Sequence, residues 1–150
     1  MSHQKRTLEV YKKLFAIISL LALSSCQKAS FEPVAIAAED MCSFCRMAIS
    51  EKQYAAEIIL ADGGAIKFDD LACLVNYVEG KSLDIRAWYA MDHQSRQWIK
   101  AREAHFVRSE ELKTPMGGQM IAFRDRTQAE AAASQYRGKL LTFDDLFRKE

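Results

Sequence analysis

The spacing of apolar and polar positions divides the chain into short segments of two kinds. Gln53 to Leu60 (QYAAEIIL) alternates imperfectly and runs into Ala61-Asp62-Gly63-Gly64, a turn signal, with AIKF (Ala65 to Phe68) beyond it. This pattern predicts a β-hairpin. Asp69 and Asp70 then stand where a helix cap is wanted, LACLVNYV (Leu71 to Val78) continues as a mostly apolar helix, and Gly80 closes it. DIRAWYAM (Asp84 to Met91) reads as a strand, so the order is β-β-α-β.

The second half repeats that order. QWIKA (Gln97 to Ala101) is expected as a strand, HFVRS as a connecting stretch, and MIAF (Met120 to Phe123) as the next strand. RTQAEAAASQYR (Arg126 to Arg137) has the strongest helix propensity in the chain, and Gly138 ends it before the strand KLLTF (Lys139 to Phe143). FDDL occurs at Phe68 to Leu71 and again at Phe143 to Leu146, out of phase with the two units, and reads as a shared strand-to-cap solution.

The N-terminal region has a different layout. Lys5, Arg6, Lys12 and Lys13 precede the uncharged run LFAIISLLAL (Leu14 to Leu23). Ten apolar residues are short for a membrane-spanning helix, which needs about 20, and suit the core of an export signal. Leu23-Ser24-Ser25-Cys26 has the form of a lipobox, which marks Cys26 for lipidation and puts the remainder of the chain outside the cytoplasm, in the periplasm. QKASFEPVAIAAE follows with no clear period and is expected to be a tether, about 40 Å long when extended. The expected organisation is a lipoprotein signal (1–25), a tether (26–39), a first unit (40–92) and a second unit (93–150).

Composition is consistent with this reading. With 150 residues, 49% hydrophobic and 27% charged, there is material for one globular domain or two very small ones. The leader holds four Lys/Arg and one Glu of the chain's 21 and 20, so the remainder carries 17 basic against 19 acidic residues, a net of −2. With no cluster of Lys and Arg, no nucleic-acid partner is expected.

Candidate chemistry concentrates in DMCSFCRMAIS (Asp40 to Ser50). Cys42 and Cys45 bring two sulfurs together across a turn. Met47, two residues on, reaches the same side if the chain is extended there. Arg46 is expected to favour thiolate over thiol. Two thiolates and a thioether select soft ions, Cu(I) foremost. A Cys42–Cys45 redox or structural disulfide is the alternative, and inert burial a third. A structural zinc site lacks a second Cys or His pair. Cys73 on the apolar helix reads first as a core residue and otherwise as a third thiol turned toward the pair. His93 is expected in a solvated turn. Met116, in the loop Pro115-Met116-Gly117-Gly118, reads as a packing filler or a late ligand, with Met120 close behind. No Ser-His-Asp pattern supports hydrolysis.

MCSFCRMAIS, the FDD after the hairpin, and AWYAMDHQSRQWIKAREAHFVRSEELKTPMGGQMIAFRDR together resemble the NosL family, copper-binding lipoprotein accessory factors associated with nitrous oxide reductase maturation. The similarity spans about Asp40 to Phe143 and includes the lipobox. It implies an α+β fold of two small ββαβ units related by approximate two-fold symmetry. It also implies a chaperone without turnover of its own, which binds Cu(I) and delivers it to a copper-receiving enzyme, its maturation complex or a membrane ABC transporter. By motif position Cys45 and Met47 are the implied ligands and Met116 a further one. Cys42 is a departure from the pattern, and either strengthens the site or closes a disulfide across it. A thiol-disulfide module and a metal-free lipoprotein interaction domain are the alternatives in function.

Overall fold

The computed structural model describes residues 31–148; the expected signal and Cys26 lie outside the described residues. No helix among the described residues is long and apolar enough to cross a membrane.

Among the described residues, seven strands form two antiparallel sheets. The first sheet comprises β1 (Ala56–Leu60), β2 (Ala65–Phe68), β3 (Ile85–Met91) and β4 (Trp98–Lys100), in the order β2-β1-β3-β4. The second comprises β5 (His105–Arg108), β6 (Met120–Phe123) and β7 (Lys139–Leu141), in the order β6-β5-β7. Helix α1 (Leu71–Val78) joins β2 to β3, and α2 (Arg126–Gln135) joins β6 to β7. Each unit therefore has its first strand in the centre, a hairpin partner on one side and, after a helix, a third strand on the other.

The second unit begins at a different strand from the one expected. His105–Arg108, read from the sequence as a connection, is the central strand of the second sheet, whereas Trp98–Lys100 pairs with β3 and belongs to the first. The reason is burial: Phe106 and Val107 are adjacent and both fully enclosed. A short strand covered on both faces shows no alternation.

Period-2 geometry sorts the first sheet. Ala56, Ile58, Phe68 and Ala90 are fully buried on the inner face and share one core with Phe106, Met120 and Ala122 of the second sheet. Val107, Ile121 and Phe123 pack with Ala129 and Ala132, the small-residue side of α2. Asp92 ties the sheets together: its carboxylate accepts from Ser95 N–H at 2.7 Å and from Arg124 N–H, in the second unit, at 2.7 Å. Burial opposes its charge, but these bonds outweigh it and hold its pKa below the usual range. His93 lies in the turn after β3, as expected, but is half-buried between the rings of Tyr54 and Phe123 rather than solvated.

The outer face of the first sheet carries Glu57, Lys67 and Tyr89 in register across three strands. Residues 31–40, expected to be mostly tether, lie across it. Tyr89 donates to Phe31 O (3.0 Å), Glu57 accepts from Val34 N–H (2.8 Å), Lys67 donates to Ala35 O (2.8 Å) and Lys52 to Ile36 O (2.6 Å). The sequence showed no period here because the segment is a strap held by side chains reaching its backbone, a pattern with no 2.0 or 3.6 repeat.

Glu57 is completely enclosed under the strap, and burial raises its pKa above the usual carboxylate range. A carboxyl whose folded pKa exceeds its unfolded one favours the native state while protonated and loses that contribution as pH rises through the folded pKa. Glu57→Gln keeps an acceptor for Val34 and cannot ionise. The difference in Tm, variant minus wild type, is therefore expected to move in the variant's favour between about pH 4 and pH 8. Calorimetry at the two pH values checks this, and a constant difference contradicts it.

Candidate metal centre

The sulfur loop is a tight turn attached to the edge of the first sheet. Met41 and Ala48 form a bridge, Cys42 N–H donates to Met47 O at 2.8 Å, and Arg46 N–H donates to Cys42 O at 3.0 Å. Ser43 N–H donates to Lys67 O at 2.9 Å, which fastens the loop to β2. Arg46 closes the turn with φ of +65°, a left-handed conformation that side chains other than glycine adopt at a cost of about 1 kcal/mol or more. The chain is thus not extended between Cys45 and Met47, so the alternation that would align their side chains does not operate. Met47 is 56% exposed, and its backbone N–H donates to the Cys45 sulfur.

Four donor atoms converge behind this turn. The ligand atoms of Cys42, Cys45, Asp69 and Cys73 all lie within 4.8 Å of one another. Cys42 and Cys73 are buried, Cys45 is half-buried, and all three are free thiols. The Cys45 thiol donates to both Asp69 oxygens at 3.5 Å, and Cys73 also hydrogen-bonds Asp69 and Cys42. Of the two readings of Cys73, core residue and third thiol, the geometry satisfies both: it is enclosed, and it faces the pair. Asp69 was read only as part of a helix cap. The signal available was its place immediately before the cap, four residues ahead of Cys73.

Asp70 does the capping and also holds the other candidate loop. One carboxylate oxygen accepts from Ala72 N–H at 2.8 Å, as an N-cap should. The other accepts from Thr114 Oγ1 at 2.6 Å, Met116 N–H at 3.1 Å and Gly118 N–H at 3.4 Å. A Cβ on Gly118 would collide with the Asp70 carboxylate and with Ala72, so this close approach requires glycine. The adjacent aspartates thus divide the work: Asp69 faces the sulfurs, and Asp70 draws the Met116 loop to the same helix start. Met116 is 41% exposed. Met120 is buried in β6, with its sulfur receiving Arg108 at 3.5 Å, a packing position.

The electrostatics differ from the expectation built on Arg46. Burial pushes both the Cys45 and Cys73 thiols above the ordinary thiol pKa, and the neighbouring Cys42 and Asp69 raise them further. Arg46 is exposed, and its charge does not offset enclosure. With their pKa raised, these two sulfurs are protonated at neutral pH.

A NosL family profile matches residues 33–150, which takes in most of the strap, the sulfur loop and the Met116 loop. The chain belongs to the NosL family. It is 26% identical over 149 residues to the copper-binding lipoprotein NosL of Stutzerimonas stutzeri, covering 89% of this chain and 78% of that protein. Its fold is similar to the crystal structure of the copper chaperone NosL from Shewanella denitrificans, with a TM-score of 0.70 at 24% identity over 77% of this chain and 96% of that one. With two helices and two small antiparallel sheets among the described residues, its fold has the α+β class expected from the sequence.

Proposed function

We propose that this protein is a copper chaperone, anchored outside the cytoplasm through Cys26, that holds Cu(I) at the sulfur loop and passes it to a copper-receiving enzyme or its maturation complex, in the nitrous oxide reductase system. The observation that carries the reading is the convergence of three thiols within 4.8 Å, beside loops that expose two thioethers. Soft donors in this number suit Cu(I), which accepts two or three sulfurs. Cys42, Cys45 and Cys73 hold the ion, Asp69 accepts hydrogen bonds from the thiols and balances the ion's charge, and Met47 and Met116 are the outer contacts. Neutral thioethers bind copper more weakly than thiolates, so exposed methionines offer an exit by ligand exchange. The relatives named above, a copper-binding lipoprotein and a copper chaperone, point the same way.

The thiol-disulfide alternative is disfavoured by the direction of the pKa shifts. Exchange proceeds through a thiolate, and reactive thiols sit where their pKa is lowered. Here burial raises Cys45 and Cys73.

The same shifts give the test. Because each bound thiol must lose a proton, apparent Cu(I) affinity is expected to rise about tenfold per pH unit for each proton displaced, between roughly pH 6 and pH 8. With two or more thiolates in the site, competition against a chelator of known pH dependence reads a slope of two or more on a log scale. A flat profile would mean that the thioethers alone hold the ion, and would overturn the thiol site.

A further inference from the structure

We infer that the strapped outer face of the first sheet rests on the phospholipid surface of the membrane that holds Cys26. The inference uses the anchoring part of the proposed function and is independent of copper binding. Its first ground is chain length. Residues 31–40 are fixed by four side-chain contacts, three from the sheet and one from Lys52, so five Cα-to-Cα steps, through residues 27–30, separate Cys26 from the fixed body at Phe31. They span at most about 17 Å, against about 40 Å for a tether running to residue 39. A domain of this size is roughly 35 Å across, so an anchor this short favours the face from which it springs.

The second ground is what that face presents. Phe31 is 36% exposed and Val34 46% exposed on the strap itself. Half-buried Trp98 lies alongside, on the edge strand β4, opposite Met91 on the same face as Tyr89. Trp98, Tyr89 and Pro33 line a hollow of about 310 Å³, together with Lys100 and Arg124. Aromatic rings with one apolar and one polar side settle at the headgroup level of a bilayer. Glu32 and Glu103 line the same hollow and offset the two cations. Apolar and aromatic contact therefore carries the docking, and an anionic lipid is not required. The sulfur loop is fastened to β2, at the other edge of the sheet, three strand spacings or about 14 Å from β4.

The chain's two tryptophans provide the test, because they lie on opposite faces of one sheet. Trp88 pairs with the buried Ile58 and packs edge-on against Phe143 and Phe147, while Trp98 faces the strap side. The full-length lipidated protein is reconstituted in phosphatidylcholine vesicles containing brominated lipid, as Trp88→Phe and as Trp98→Phe. Quenching is expected for Trp98, in the first variant, and little for Trp88, in the second. Phe31→Ser with Val34→Ser, at exposed side chains, is expected to remove the Trp98 quenching while the protein still floats with the vesicles. Equal quenching of both tryptophans, no quenching of Trp98, quenching that survives the double substitution, or a wild-type protein that fails to float each overturn the inference. Cu(I) titration of the same vesicles reports on the copper reading separately.

Discussion

Cys45→Ser is expected to lower Cu(I) affinity by at least about 100-fold, the upper end of what loss of an outer-shell partner alone produces at a metal site. Cys45 is the shared element: its sulfur lies in the buried cluster, while its loop carries Met47 to the surface. Cys42→Ala and Cys73→Ala are expected to produce losses of similar order if the ion takes three sulfurs. Alanine is preferred to serine at these buried positions because a hydroxyl could keep the hydrogen bonds of the cluster and mask the loss of the sulfur. Met47→Leu and Met116→Leu keep volume and remove a thioether. They are expected to change equilibrium affinity much less and to slow transfer to a second chelator. Unchanged affinity in both Cys42→Ala and Cys73→Ala, with melting curves intact, would reduce the site to Cys45 and the methionines.

Asp70→Ala is expected to be the most damaging single substitution for stability that touches no sulfur. It removes the cap of α1, worth about 1 kcal/mol, and leaves the Thr114 hydroxyl and the Met116 and Gly118 N–H groups without their acceptor, at about 1 kcal/mol each when they are not rehydrated. Because the opened loop regains some water, the net is about 3 kcal/mol, a fall in Tm on the order of 10–15 °C. Calorimetry of the metal-free protein reads the loss. Amide exchange is expected to quicken across residues 114–119 beyond the change elsewhere. A fall under about 1 kcal/mol would mean that the loop is held by other contacts and that Asp70 is only a cap.

Several elements were legible because local physics decides them. The Asp-Gly-Gly turn set the β1–β2 hairpin, Asp70 capped the first helix, helix propensity marked the second, and MIAF formed a strand as read. The sulfur loop was legible as soft-ligand chemistry from residue types alone. Three things were not. Strand β5 is enclosed on both faces, the strap is held through its backbone, and His93 is packed between rings from both units, so none leaves a periodic trace. Arg46 misled in a further way: proximity in sequence suggested an electrostatic effect that exposure to water cancels.

By itself, then, the sequence determined the first β-β-α-β run, the helix and the last two strands of the second unit, and the presence of Cys42, Cys45 and Met47 in one short loop, because each depends on residues within a few positions of one another. The tertiary structure alone decided that Cys73 and Asp69 complete the cluster, that Asp70 brings Met116 to the same helix start across 46 residues, and that the first ten described residues belong to the fold. Those are contacts between distant segments. Their geometry is set by how the sheets pack and by which buried carboxylates need partners, and neither is encoded in local spacing.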